Sequence, residues 1–162
     1  MNTNIFKNLI ETSHLNWLSN ILKIDYTSRN GIDLVDDYIG IELKSRYLFY
    51  GYRLAIHSYQ VNQFREDNHG KSLFWCILFY DLSKKPNNIK KEEVSSSITR
   101  RDAYFLEWDW VRKFPISDKA KTGPYIYVGM KDFPERSTFK HLTLEKGSVY
   151  APRNSILEDI LS

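Results

Sequence analysis

Asp33, Glu42 and Lys44 are the residues of this 162-residue chain whose types and spacing could do chemistry together. They lie in Asn30–Arg46, NGIDLVDDYIGIELKSR, where one acid precedes a Glu-x-Lys triplet. Carboxylates are hard oxygen ligands for Mg²⁺, which keeps several waters and is typically held by one or two carboxylates plus a substrate phosphate. Such a cation stabilises charge on phosphate and lowers the pKa of a bound water, and a lysine beside it can position that water. The expected cofactor is therefore Mg²⁺, with Asp33 and Glu42 as its ligands. The plain alternative is a solvated strand face carrying an ion pair, because a lone Glu-x-Lys is common.

The segment argues its own geometry. Asp36-Asp37 is a turn-forming pair between two apolar runs, Ile32-Leu34-Val35 and Tyr38-Ile39-Ile41, which predicts a β-hairpin. A two-residue loop sets Val35 opposite Tyr38, Leu34 opposite Ile39 and Asp33 opposite Gly40. Side chains alternate with period two, so Gly40, Glu42 and Lys44 share one face, and cross-strand partners share it too. Asp33, Glu42 and Lys44 then converge, with Gly40 leaving open space beside Asp33. A one-residue slip would destroy that convergence.

On these residues the chain resembles the PD-(D/E)xK nuclease superfamily, with its restriction-endonuclease-like fold. Gly31-Ile32-Asp33 stands where the family has Pro-Asp, with isoleucine in place of proline, and Glu42-Leu43-Lys44 is the (D/E)xK half. The specific likeness covers about 17 residues, and nothing after about Leu82 contributes to it. The resemblance implies an α/β fold, a mixed β-sheet core flanked by helices with additional C-terminal strands. It implies a Mg²⁺-dependent endodeoxyribonuclease with Asp33, Glu42 and Lys44 as catalytic residues. Family members often carry an acid on the first helix, which makes Glu11 a fourth catalytic candidate, as a supplementary ligand of the metal. Gln60 and Gln63 are weaker ones, on the helix after the motif. Bacterial intron-encoded homing enzymes of this type are the nearest analogy; type II restriction enzymes, junction resolvases and a non-catalytic DNA-binding protein of the same fold are the rivals.

Composition sets the bounds. A chain of this length fits one domain with a real core, and 42% hydrophobic with 27% charged residues is ordinary for a globular protein. No run approaches the roughly 18 apolar residues of a membrane span. The first residues lack the basic-then-apolar pattern of a signal peptide, so an intracellular, cytoplasmic location is expected. Single Cys76 sits in an apolar run, which excludes a disulfide framework and suggests a reducing compartment. The four histidines show no metal-ligand spacing. Charge is uneven: residues 1–82 carry 8 Lys+Arg against 9 Asp+Glu, and residues 83–162 carry 15 against 11. A basic second half suits a protein that grips a polyanion such as double-stranded DNA.

The elements that must position the site follow from periodicity. Asn4–Leu22 reads as a helix with Thr3 or Asn4 as cap, and Glu11 falls at the border of its apolar stripe. Arg53–Ser58 suits a short strand. Tyr59–Asn68 reads as a helix with Val61 and Phe64 inward, and Ser72–Leu82 as a strand buried on both faces. The polar stretch Ser83–Ser97 reads as a loop dividing a nuclease core, 1–82, from a DNA-contacting and assembly elaboration, 83–162, of one domain. Ala103–Phe114 and Pro124–Met130 read as strands, and Asn154–Leu161 as a terminal helix. Arg46 shares the Lys44 face and is a candidate phosphate contact. Arg100, Arg101, Arg112, Lys113, Lys119 and Lys121 are interleaved with Tyr104, Trp108 and Trp110, a mixture that can grip phosphate and base. A chain with one catalytic set cuts one strand, so double-strand cleavage implies a homodimer or homotetramer. Its interface and groove contacts are expected from Tyr104, Trp108, Trp110, Tyr125 and Tyr127.

Overall fold

The computed structural model describes residues 2–25, 32–117 and 124–162. In chain order the elements are α1 (Thr3–Leu22), β1 (Leu34–Val35), β2 (Ile39–Tyr47), β3 (Arg53–His57), α2 (Ser58–Asp67), β4 (Ser72–Leu82), α3 (Val94–Ser97), β5 (Ile98–Glu107), β6 (Ile116–Ser117), β7 (Tyr125–Gly129), β8 (Phe139–Leu144), β9 (Gly147–Pro152) and α4 (Ile156–Ile160). The fold is α/β. A mixed six-stranded sheet in the order β1-β2-β4-β5-β9-β8 is accompanied by a three-stranded sheet, β3-β7-β6, with helices flanking them. The large sheet runs across the boundary expected near Leu82, because β5, β9 and β8 continue it beside β4.

β4 is the central strand, and its sequence says why. Phe74–Tyr80 is an unbroken apolar run and every residue in it is buried. One face, Phe74, Cys76, Leu78 and Tyr80, packs under Phe6, Ile10, Leu15, Leu18 and Leu22 of α1. The other, Trp75, Ile77 and Phe79, packs against Leu54 and Ile56 of β3, Val61 of α2, and Ile126 and Val128 of β7. β4 pairs parallel with β2, which requires the crossover through β3 and α2, and antiparallel with β5.

Several expectations need correction. The α1 cap is Asn2, whose side chain accepts from the Asn4 amide at 2.7 Å, in place of Thr3 or Asn4. Ser83–Ser97 is not a plain loop: it holds two 3₁₀ turns and α3, and buries Ile89 and Val94. Ala103–Phe114 is not one strand, because β5 ends at Glu107 and Trp108–Lys113 forms a 3₁₀ turn. The cause is an interlock of two indoles. Trp108 Nε1 donates to Val61 O at 2.7 Å, Trp75 Nε1 donates to Trp108 O at 2.9 Å, and the rings stack with centroids 4.0 Å apart. Those bonds draw the chain off the sheet. Val61 is buried as expected, whereas the Phe64 side chain lies outside the described residues.

Two glycines differ in what a side chain would meet. A Cβ on Gly147 would stand 2.0 Å from Arg101 O and 3.0 Å from Arg101 C, where β9 joins β5. A Cβ on Gly40 would meet the mobile end of Leu73 at 2.7 Å. Gly147→Ala is therefore expected to destabilise the protein by about 1–3 kcal/mol or more, and Gly40→Ala by less. Urea denaturation of both variants measures this; equal midpoints would contradict the packing described.

Candidate active site

The hairpin register decides which groups meet. The observed pairs are Leu34 with Ile41 and Val35 with Gly40, a shift of two residues from the expected two-residue loop. The Asp36 side chain causes it. Its Oδ1 accepts from the amides of Tyr38 and Ile39, both at 2.7 Å, and the Asp36 amide donates to Ile39 O. This Asx turn uses up four residues and leaves Tyr38 exposed at its tip. A shift of two preserves facing, so the alternation now sets Asp33 beside Glu42 in place of Gly40, although the ladder itself ends at Leu34 and Asp33 meets β2 through its side chain. Gly40 does not open space beside Asp33, since Leu73 and Ile32 fill that position.

One step past the two-pair ladder, the Leu43 amide donates to Asp33 Oδ2 at 2.8 Å. A carboxylate thus stands where a strand carbonyl would. Glu42 is buried and hydrogen-bonds through its side chain to Asp33. Burial first, then the hydrogen bond and the Asp33 charge, push the Glu42 carboxyl far above the usual carboxylate range, while Lys44 opposes the shift. Glu11 reaches the same group from α1. Partial burial and the Asp33 charge raise its carboxyl, and Lys44 again pulls the other way. The four candidates Glu11, Asp33, Glu42 and Lys44 therefore form one electrostatically connected cluster. Buried Cys76, on the neighbouring strand, has its thiol pushed up by burial and by Asp33, so it is no nucleophile.

Among the described residues no group of three or more His, Cys, Asp and Glu side chains is disposed to hold a metal ion. The donor set to weigh is the pair Asp33 and Glu42. Two acids sharing a hydrogen bond in a buried setting hold a proton because their charges repel, and a divalent cation relieves the same repulsion. The pair fits Mg²⁺ bound through two carboxylates with the remaining positions left to water and substrate phosphate. Gly31, the first residue of the motif, lies outside the described residues.

A cleft of about 420 Å³ adjoins the cluster, lined by Lys7, Glu11, Lys44, Arg46, Tyr47 and Tyr50 among others. Lys7 belongs to no motif of the sequence. Its signal was the i, i+4 spacing to Glu11 on one helix face. Arg46 lines the cleft as its strand position predicts, with Nη2 donating to Tyr50 O at 2.9 Å and Nε buried without a partner.

The other basic candidates are dispersed. By register, Arg100 and Arg101 lie at the Arg46 end of the sheet on opposite faces, and Arg112 and Lys113 follow the other end of β5. Arg100 pairs with buried Asp102 at 2.7 Å. Arg101 turns to α1, donating to His14 Nδ1 at 3.0 Å and Ser13 Oγ at 2.8 Å, with Trp17 beneath it. Burial, and then this arginine, hold His14 neutral with its pKa near 3. Arg112 bridges Asp109 and Asn62, and Lys113 lies over Trp110. Lys119 and Lys121 lie outside the described residues. Tyr104 and Trp108, expected at an interface, are buried in the second core, whereas Trp110, Tyr125 and Tyr127 are half-buried. On α2, Gln60 is half-buried and Gln63 exposed.

Comparison with protein-family models, curated proteins and solved structures finds no match. No helix among the described residues is long and apolar enough to cross a membrane.

The Glu42 environment has a measurable consequence. The fold binds the Glu42 proton more tightly than the unfolded chain does, so in the metal-free protein the contribution of Glu42 to stability is greatest below the ordinary carboxylate range and is lost as pH rises toward the shifted value, opposite in sign to the contribution of His14. Glu42→Gln removes that dependence. Between pH 5 and pH 8 in EDTA, the wild type is expected to lose at least about 1.4 kcal/mol relative to Glu42→Gln, the equivalent of one pKa unit. Chemical denaturation of the two proteins reads the difference, and parallel pH profiles would refute a buried shared proton.

Proposed function

We propose that this chain is a Mg²⁺-dependent DNA endonuclease of PD-(D/E)xK type. The observation that carries the proposal is the Asp33–Glu42 carboxylate pair, formed across the hairpin with Glu11 and Lys44 electrostatically coupled to it. A strand face that merely met solvent would not bury Glu42 against another acid. That arrangement costs stability and calls for a function.

Asp33 and Glu42 would hold the cation. When bound, it would supply Lewis acidity to the scissile phosphate and a water of lowered pKa. Lys44 is placed to orient the attacking water and balance charge on the phosphate. Glu11, its carboxyl raised by its surroundings, accepts a proton more readily near neutral pH than a solvated glutamate does. Arg46, with an unpartnered Nε beside the cleft, is the phosphate contact. Water attacks phosphorus and gives a proton to Glu11, the P–O bond to the leaving sugar oxygen breaks, and that oxygen takes a proton from solvent, leaving a phosphate monoester and a free hydroxyl. The proposal extends to homing-type cleavage of both strands by a homodimer or homotetramer, since each chain carries one such set.

Nicking of supercoiled plasmid with Mg²⁺ or EDTA tests the activity, and comparing a four-way junction with linear duplex separates resolvase from homing or restriction action. Asp33→Asn, Glu42→Gln and Lys44→Ala are each expected to lower the cleavage rate by about a hundredfold or more with DNA binding retained. Glu11→Gln should slow cleavage and leave the unfolding free energy from urea denaturation within about 0.5 kcal/mol of wild type. Cleavage by Asp33→Asn and Glu42→Gln at the wild-type rate would reject the site.

A further inference from the structure

Beside the carboxylate cluster the chain displays an aromatic surface that the hydrolytic chemistry does not use. Leu48–Tyr50 form a single 3₁₀ turn between β2 and β3. Leu48 packs on the second core, and Gly51, at φ +92°, donates to Leu48 O at 2.9 Å and turns the chain back. That backbone conformation favours glycine. A turn so short, with its first side chain held inside, presents the next two outside. Phe49 is 76% exposed and Tyr50 61%.

These rings are held in a fixed array. Phe49 meets Tyr50 edge-on at 5.4 Å, Tyr47 stacks on Phe49 at 5.8 Å, and Tyr47 stacks in turn on Tyr80 at 5.6 Å. Cations surround them. The Arg46 guanidinium lies 5.5 Å over the Tyr50 ring and Lys85 lines a shallow cleft of about 340 Å³ with Phe49. Tyr47 and Tyr50 are walls both of that cleft and of the one lined by Glu11 and Lys44, so the aromatic surface leads to the Glu11 and Lys44 side of the cluster.

Exposed ring faces interleaved with cations suit one ligand class above others: a nucleic-acid strand with bases out of their stack, since every base has a π-face and every linkage a charge. A second copy of this chain covering the surface would have to bring acids to Arg46 and Lys85. We infer that Phe49 and Tyr50, backed by Tyr47, form a base-stacking platform that takes the strand beside the scissile phosphate with at least one base unstacked. The inference rests on the nuclease proposal and deepens it: the cut strand is drawn out of a duplex opened at the cut, so DNA already unpaired or bulged there is bound in preference to perfectly paired duplex.

Fluorescence anisotropy with the full-length wild type in EDTA tests this without requiring cleavage. The probes are a single strand of about 12 nucleotides, within the span one stacking surface occupies, a duplex carrying a bulge, and the matched duplex. Unpaired probes are expected to bind at least tenfold more tightly than the matched duplex. The double variant Phe49→Ala, Tyr50→Ala should lose at least tenfold on unpaired probes, by a factor that does not change with salt, and little on duplex. Phe49→Leu keeps an apolar side chain without a ring and should lose part of the same preference at unchanged stability. Lys85→Ala should weaken all probes alike and flatten their salt dependence.

Equal affinity for paired and unpaired probes, or a preference that survives the double variant, overturns the platform. So does a double variant that dissociates an oligomer with DNA affinity unchanged, which would make the surface a subunit interface. The two proposals fail separately. Wild type that nicks plasmid with Mg²⁺ but shows no unpaired preference loses the platform alone. Wild type that prefers unpaired DNA and cuts nothing loses the nuclease alone.

Discussion

The site depends on one hydrogen bond, from the Leu43 amide to Asp33 Oδ2. The β1–β2 ladder is two residue pairs long, and the next β2 amide turned toward β1 is taken by a side chain in place of a strand carbonyl. That substitution fixes the Asp33 carboxylate against β2, directly beside the residue that follows Ile41. Glu42 then has no choice of neighbour. Its side chain lies across from Asp33, buried, and the two acids share a hydrogen bond because they cannot both carry full charge at that separation. Lys44, two residues on, opposes the shift, and Glu11 is close enough to feel both Asp33 and Lys44.

A cluster of like charges is held together only by a frame that does not yield. β4 supplies it. Its alternating residues are gripped on one face by α1 and on the other by the indole interlock, the small sheet and α2. The Trp75–Trp108 stack lies next to Glu42 in register, since Glu42 pairs with Trp75 across the parallel ladder. The same contacts that end β5 at Glu107 thus stiffen the strand against which the acid is set. Packing and chemistry meet at adjacent positions of one ladder.

The period-two pattern made the meeting of Asp33, Glu42 and Lys44 legible in the sequence, because facing survives any even shift of register. What the pattern could not supply was the loop. Asp36 satisfies two turn amides with its own side chain, and sequence alone does not say which of two adjacent aspartates will do so. The strand of continuous apolar residues, Ser72–Leu82, was readable end to end because a run that rich in aromatics, begun just after Gly70 and ended by a polar stretch, suits a strand buried on both faces. Ala103–Phe114 misled for a related reason. Aromatic residues at strand spacing look alike whether they pair in a ladder or leave it, and the bonds from Trp108 to Val61 and from Trp75 to Trp108 span 47 and 33 residues. Long-range bonds of that kind leave no local mark.

The charge distribution changes meaning once partners are known. The basic excess of residues 83–162 suggested a surface for a polyanion, yet its arginines differ in what they can release. Arg101 is bound to Ser13 and His14 over the Trp17 ring, and moving it would expose buried polar groups on α1. Arg100 is exposed, but its partner Asp102 is buried, so freeing the arginine would leave an unpaired buried carboxylate. Arg112 is different, because Asp109 is itself 56% exposed and such surface pairs are worth about 1 kcal/mol or less. Of the arginines proposed to contact DNA from this half, Arg112 alone can exchange its partner for phosphate at little cost. Lys44, the cation felt by Glu11 and Glu42, and Lys7 and Arg46, which line the adjoining cleft, come instead from the half of the chain that is acidic overall. The positive charge that matters to the site is set by the α1–β2 cleft, and net charge along the sequence is a poor guide to it.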